Sequence, residues 1–263
     1  SNYIAPFTHS QLQRATAEVE QLARSLQGRK LEEDDWTALY CRVKNLTPPG
    51  WSNLPFRDFL HNGIGVEFKL LKRGNPIGDI GRSLMHPAAT RTINFSEDDD
   101  PNEAMENVLA QWSSQISDFE SRIAETSPHG TADARWGVLL WAPDHTQFLY
   151  FEEPLIHPDP RNYFAEWSNG RHRGKTSTNL HIYDRATGRK AYSCTVPRNG
   201  AKLQPYFRVP TESEGAAIFQ PAQKDVIPLF GHRTDIETLR HHFPGMSDED
   251  ILRSLLNTYL SSD

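Results

Sequence analysis

The sequence is short of the residues that staple or anchor a chain. Its two cysteines, Cys41 and Cys194, are too few and too far apart for a disulfide framework or a zinc ribbon, which predicts a reducing cytoplasm. No apolar run approaches the roughly 20 residues that span a bilayer. Ser1-Asn2-Tyr3 opens no charged-then-apolar secretory pattern, so no membrane partner is expected. Several catalytic signatures are also missing: a Walker A sequence, a His-Glu-x-x-His helix and a Gly-x-Ser-x-Gly elbow. Gly63-Ile64-Gly65 precedes a strand pattern where a dinucleotide fingerprint would open a helix. The adjacent His241 and His242 cannot chelate a metal from one helix face. What remains is a 263-residue chain with 10% aromatic residues, enough for a sizeable core and too many for disorder.

The net charge of -6 argues at first against nucleic acid, whose phosphates demand positive charge. Its distribution argues the other way. Arg161 to Arg208 holds ten basic residues and two acids, Glu166 and Asp184, a local charge of +8 that leaves -14 for the rest. Such a block is the electrostatic footprint of a phosphate-binding surface, or else a solvated face paired to the acidic remainder. Within it, residues 169–179 are predicted to form a loop dense in forked and hydroxyl donors: Asn169, Arg171, Arg173, Lys175, Thr176, Ser177 and Asn179. Arginine can read guanine, asparagine adenine, and hydroxyls can donate to phosphates. A hairpin follows, with Arg185 at its tip, and Arg198 and Lys202 lie beyond it. Together these are the expected contacts to double-stranded DNA.

The order of elements predicts an α/β (α+β) fold, a mixed sheet flanked by helices in a single domain spanning 1–263. Residues 1–50 form a helical segment, 51–155 a catalytic core, 156–210 the basic recognition segment, and 211–263 the C-terminal helices. Thr8 and Gln11 have capping-box spacing ahead of Leu12, Ala15, Val19, Leu22 and Leu26, with Gly28 as the stop. A second helix is expected over 34–43. Asp100, Pro101 and Glu103 announce a long helix whose stripe is Met105, Val108, Leu109, Trp112, Ile116, Phe119 and Ile123. Trp136 to Trp141 reads as a buried strand, Phe148 to Phe151 as its partner, and 204–210 as a short aromatic strand. Two closing helices are expected, near 235–243 and near 247–260, the latter capped by Ser247.

The chemistry-bearing segment is Asp58 to Leu71. Asp58 ends an extended piece, His61-Asn62-Gly63 is turn chemistry, and 64–71 is a strand. Alternation puts Glu67 and Lys69 on one face and Val66, Phe68 and Leu70 on the other. A hairpin would bring Asp58 beside Glu67. These two carboxylates and the main-chain carbonyl of Phe68 suit Mg²⁺, a hard cation, while Lys69 can orient water and offset charge on a phosphorane-like state. An acid, any residue, then lysine is expected about once by chance in this composition, so the tripeptide gains weight from its setting alone. A surface ion pair across or along strands is the competing reading.

This segment resembles the PD-(D/E)xK nuclease superfamily, which includes many type II restriction endonucleases. The resemblance covers Asp58 to Leu71 and the order of elements around them, with Arg57 standing where the family has proline. It implies a restriction-endonuclease-like fold and a Mg²⁺-dependent, sequence-specific double-stranded DNA endonuclease. Asp58 and Glu67 would bind metal and Lys69 would be catalytic. Asp79 is an alternative first carboxylate, and Glu18 or Glu20 could join from the first helix. Symmetric cutting would favour a homodimer, with a companion methyltransferase acting on the same site. Two other readings stay open: a DNA-binding protein without activity, and an interaction protein whose basic segment meets an acidic partner.

Overall fold

The computed structural model describes residues 3–26, 29–47, 59–86, 90–172, 175–195, 201–221, 240, 243–251 and 253, with main chain alone at 90–92, 171–172, 175–177 and 201. Two helices come first, α1 (His9–Leu26) and α2 (Glu33–Val43). Strands β1 (Phe59–His61), β2 (Ile64–Lys72), β3 (Ser83–Met85) and β4 (Thr90–Ile93) precede the long helix α3 (Pro101–Glu125). Then follow β5 (Asp133–Trp141), β6 (Phe148–Pro154), β7 (Tyr163–His172), β8 (Lys175–Asp184), β9 (Lys190–Thr195), β10 (Ala201–Arg208) and β11 (Ala217–Phe219). The chain is therefore mixed α and β, as its element order predicts.

Its strands divide between two sheets. The first has the order β1-β2-β5-β6-β11 and is mixed, because β2 and β5 run parallel while the other pairs are antiparallel. Parallel neighbours need a long crossover, and α3 supplies it. The second sheet has the order β3-β10-β9-β8-β7, with β4 also paired to β10. The expectation of one mixed sheet thus holds for the first, while the basic segment builds most of a second. Between them lies a core of α3 side chains, Trp136, Val138, Leu140, Leu149 and Phe151 from the first sheet, and Ala165, Leu180, Ile182, Cys194, Leu203 and Phe207 from the second. The opposite face of the first sheet, with Val66, Phe68, Leu139 and Tyr150, packs on α1 and α2.

Local signals account for the helices. Thr8 and Gln11 exchange side-chain to main-chain bonds at 3.0 and 3.3 Å, a reciprocal capping box. The predicted stripe of α1 is buried except Leu12, in its first turn, which is 38% exposed. Asp100 caps α3 through the amide of Asn102 at 2.9 Å; Glu103 completes no box, since the cap oxygen is committed one residue earlier. The whole predicted stripe of α3 is buried. Ser247 accepts from the Asp250 amide at 3.2 Å and residues 248–251 and 253 are helical; the other residues of that predicted helix, Gly28 and most of 235–243 lie outside the described residues.

One correction concerns 169–179. Its described residues are not a loop but parts of two strands, β7 and β8, paired in register as far as His172 and Lys175, with Asn179 also paired to Thr195 of β9. The sequence hides these strands because the ribbon is polar on both faces, so no apolar alternation marks it.

A buried carboxylate ties the layers together. Glu152 has no solvent exposure. Its Oε1 accepts from the Tyr40 hydroxyl of α2 at 2.8 Å and from the Tyr150 hydroxyl at 2.9 Å, and its Oε2 accepts from Arg135 at 2.9 Å. Arg135 is also held by Asp133. Gly137 makes room for this cluster: a Cβ there would fall 2.6 Å from the Tyr150 hydroxyl oxygen. Removing one member of such a buried pair strands the other, at a cost of about 3–5 kcal/mol. Glu152→Ala is therefore expected to destabilise the fold by about that amount in urea denaturation, and Tyr40→Phe by about 1 kcal/mol. An unchanged midpoint in Glu152→Ala would contradict this role.

Candidate active site

The hairpin that carries the candidate residues forms as expected. Phe59 pairs with Val66 and His61 with Ile64, across a turn in which Asn62 and Gly63 both have positive φ, 48° and 79°. Those angles suit the two-residue turns whose twist matches paired strands, and asparagine followed by glycine is the usual way to reach them. Asp58 lies outside the described residues. β2 then runs on beside β5, and its alternation sets Glu67 and Lys69 on the face opposite Val66 and Phe68.

Register assembles the surroundings. Glu67 stands beside Trp136 of β5, and Trp136 beside Glu153 of β6, so all three share one face. The Lys69 ammonium donates to Glu67 Oε1 at 2.6 Å and sits 5.7 Å from the centre of the Trp136 ring. β1 pairs with β2 only as far as Val66, which leaves the outer edge of β2 at Glu67 and beyond without a described strand. Around that edge Glu33, the first residue of α2, comes within 3.9 Å of the same ammonium. The pair is recessed, with 14% of the Lys69 side chain and 8% of the Glu67 side chain exposed. A cation in such a place interacts more strongly than it would in water, and can offset negative charge that develops beside it.

Behind Trp136 lies His86. Its ring is fully buried, 4.7 Å from Trp136 and 4.6 Å from Phe207, and its Nε2 is 3.7 Å from Glu153, beyond hydrogen-bond range. Burial pushes the imidazole below its ordinary pKa against the pull of Glu153, so the ring is neutral at pH 7. Glu33, Trp136, Glu153 and His86 are absent from the sequence-based site. A signal exists for one: Glu152-Glu153 puts acids on both faces of an otherwise apolar strand. Nothing local marks Glu33 or His86, which arrive through tertiary packing. Glu18, an expected contributor, instead pairs with Arg42 at 2.8 Å.

The donor chemistry suits a hard cation, since Glu67 offers carboxylate oxygen and Phe68 can offer its main-chain oxygen. The Phe68 side chain itself packs against Tyr40 on the opposite face. Among the described residues, no group of three His, Cys, Asp or Glu side chains is close enough to hold an ion. The chain matches no family model, no curated protein and no solved structure.

Of the expected DNA contacts, register brings Asn179 and Lys202 together, in one row with Thr195 between them. Asn169 lies nearby, on the opposite face of the ribbon, while Arg173 and Arg198 fall outside the described residues. Arg185 is far away. It follows the last residue of β8, whereas Arg171, Lys175, Thr176 and Ser177 sit about its start, roughly 30 Å away at 3.3 Å per residue. The basic block therefore has two ends, not one surface.

Asp79 proves unsuited to the metal role. It sits beyond the far end of β2, buried, accepting from Arg73 and from Arg82. Arg73 is six residues past Glu67, about 20 Å along extended chain. The Arg73 hydrogen bond, and then Arg82, hold the Asp79 carboxyl below its ordinary range. A carboxylate with a depressed folded pKa stabilises the fold above its unfolded value, near pH 4, and loses that contribution as pH falls through the folded value. Urea midpoints measured from pH 6 down to pH 2 are expected to fall less steeply below pH 4 for Asp79→Asn than for the native chain. Parallel acid limbs would contradict the assignment.

Proposed function

We propose that this chain is a Mg²⁺-dependent endonuclease of double-stranded DNA, of the type II restriction kind, hydrolysing phosphodiester bonds at specific sites. The observation that carries this reading is the recessed Glu67–Lys69 pair at the edge of β2, with the Glu33 carboxylate 3.9 Å from the ammonium. In this reading Asp58, Glu67 and the main-chain oxygen of Phe68 hold the metal. Bound Mg²⁺ supplies Lewis acidity and a more acidic water. Lys69 would orient the attacking water and offset charge as the phosphorus becomes five-coordinate, while Glu33, 3.9 Å away, would help to hold Lys69 in place. The polar end of the second sheet, with Asn169, Asn179 and Lys202 and the ribbon that carries Arg171, Lys175, Thr176 and Ser177, grips the duplex.

A two-fold symmetric target favours a homodimer, and a methyltransferase acting on the same sequence would protect the host's own DNA. Cys41 and Cys194 are both buried free thiols, and burial pushes Cys194 up to about 12; this supports action in a reducing cytoplasm. No described helix is long and apolar enough to cross a membrane. A second reading draws support from the lack of a three-ligand cluster among the described residues. In it, the chain binds DNA without cutting, and Glu67–Lys69 is a structural ion pair.

Substitution separates the two. Glu67→Gln and Lys69→Ala are each expected to reduce Mg²⁺-dependent nicking of plasmid DNA by at least about 100-fold. Both should bind duplex DNA like the native chain in gel shifts run with EDTA, with melting checked to confirm folding. Nicking at the native rate by either folded variant would overturn the site.

A further inference from the structure

The outer face of the second sheet carries a row of rings and cations that cleavage does not use. On β7 and β8, Phe164 and Tyr183 are register partners, stacked at 5.2 Å with planes 18° apart. A bulge in β9 sets Lys190 opposite Tyr183, and its ammonium lies 5.9 Å from the ring centres of both Tyr183 and Tyr206 of β10. Arg185, exposed in the β8–β9 turn, covers Phe164 at 5.8 Å. At the other end Met85 of β3 pairs with Tyr206 and is 40% exposed. Five strands thus present one level of apolar and aromatic groups interleaved with positive charge. The inner face of the same strands holds Ala165, Ile182, Leu203 and Phe207 in the core, so this row is not core that happens to be visible.

We propose that this row is a platform for single-stranded DNA, on which unpaired bases stack against Tyr183 and Tyr206 while Arg185 and Lys190 meet the phosphates. Aromatic groups on an antiparallel sheet, flanked by cations, hold unpaired bases because every base has a π-face and every link a negative charge. Paired bases in a duplex have no face to offer. Glu166, one step along β7, brings one negative charge to this face; it stands opposite His181 and a row away from the rings. The stacking is independent of cleavage. The choice of DNA over RNA rests on the endonuclease reading.

Anisotropy of a fluorescein-labelled twenty-nucleotide oligo(dT), titrated with the full chain in EDTA, tests it, beside a duplex of the same length and oligo(rU). The native chain should bind oligo(dT) with a tighter Kd than oligo(rU), and Tyr183→Ala and Tyr206→Ala should each weaken oligo(dT) binding about tenfold or more, given the usual worth of a stacked base. Tyr183→Phe should bind like the native chain, and Lys190→Ala, a surface change, should weaken binding and flatten its salt dependence. Duplex affinity should change less than oligo(dT) affinity in the two alanine variants, because Asn179 and Lys202 lie four residues along the same strands, about 13 Å away, and paired bases cannot stack on the rings. Native affinity in folded Tyr183→Ala and Tyr206→Ala would overturn the proposal, as would tighter binding of oligo(rU) or self-association that these variants abolish. Loss of nicking in Glu67→Gln with oligo(dT) binding intact leaves the platform standing, so the two readings fail separately.

Discussion

Much of the architecture hangs on a single carboxylate that water does not reach. Glu152 accepts from two tyrosines and an arginine at once, and through Tyr40 it fixes α2 against the first sheet. A buried charge is tolerable only when its lone pairs are satisfied, so the cluster permits little displacement of any member. Rings complete the arrangement: Tyr40 meets Phe59 at 5.0 Å and Phe68 at 5.1 Å, and Trp36 meets Tyr150 at 4.9 Å. The consequence reaches the candidate site. Because α2 cannot slide, its first residue, Glu33, stays at the edge of β2 beside Lys69. The same strands that bury Glu152 on one face carry Trp136, Glu153 and Glu67 on the other.

How much of this was legible in the sequence follows from which forces are local. The caps at Thr8 and Asp100, the stripe of α3, the Asn62-Gly63 turn and the alternation of Glu67 and Lys69 against Phe68 all depend on neighbours within a few residues, and each was readable. Sheet membership was not. β3 and β4 leave the hairpin they follow and join β10, more than a hundred residues later, a choice made by the shared core and not by local pattern. The strands at 169–179 read as a loop because a run of polar residues shows no apolar alternation. Glu33 entered the site unannounced for a similar reason, since its position depends on how α2 packs.

Charge tells the same story at larger scale. The net charge of -6 conceals a positive segment, and that segment is in turn spread along β8, from Lys175 at its start to Arg185 just past its last residue. The row of Asn179 and Lys202 is polar, while the row four residues along the same strands sets rings beside Arg185 and Lys190. Strand pairing therefore divides a block that sequence alone treats as one.

The central claim is that this chain cuts DNA with a metal at Glu67. Its most direct test is to incubate the native chain, stripped of metal, with phage DNA in the presence of Mg²⁺ or of EDTA. The account predicts a ladder of discrete fragments with Mg²⁺ and intact DNA with EDTA. Intact DNA in both, from protein that still shifts a duplex in a gel, would contradict it and leave a binding protein in its place.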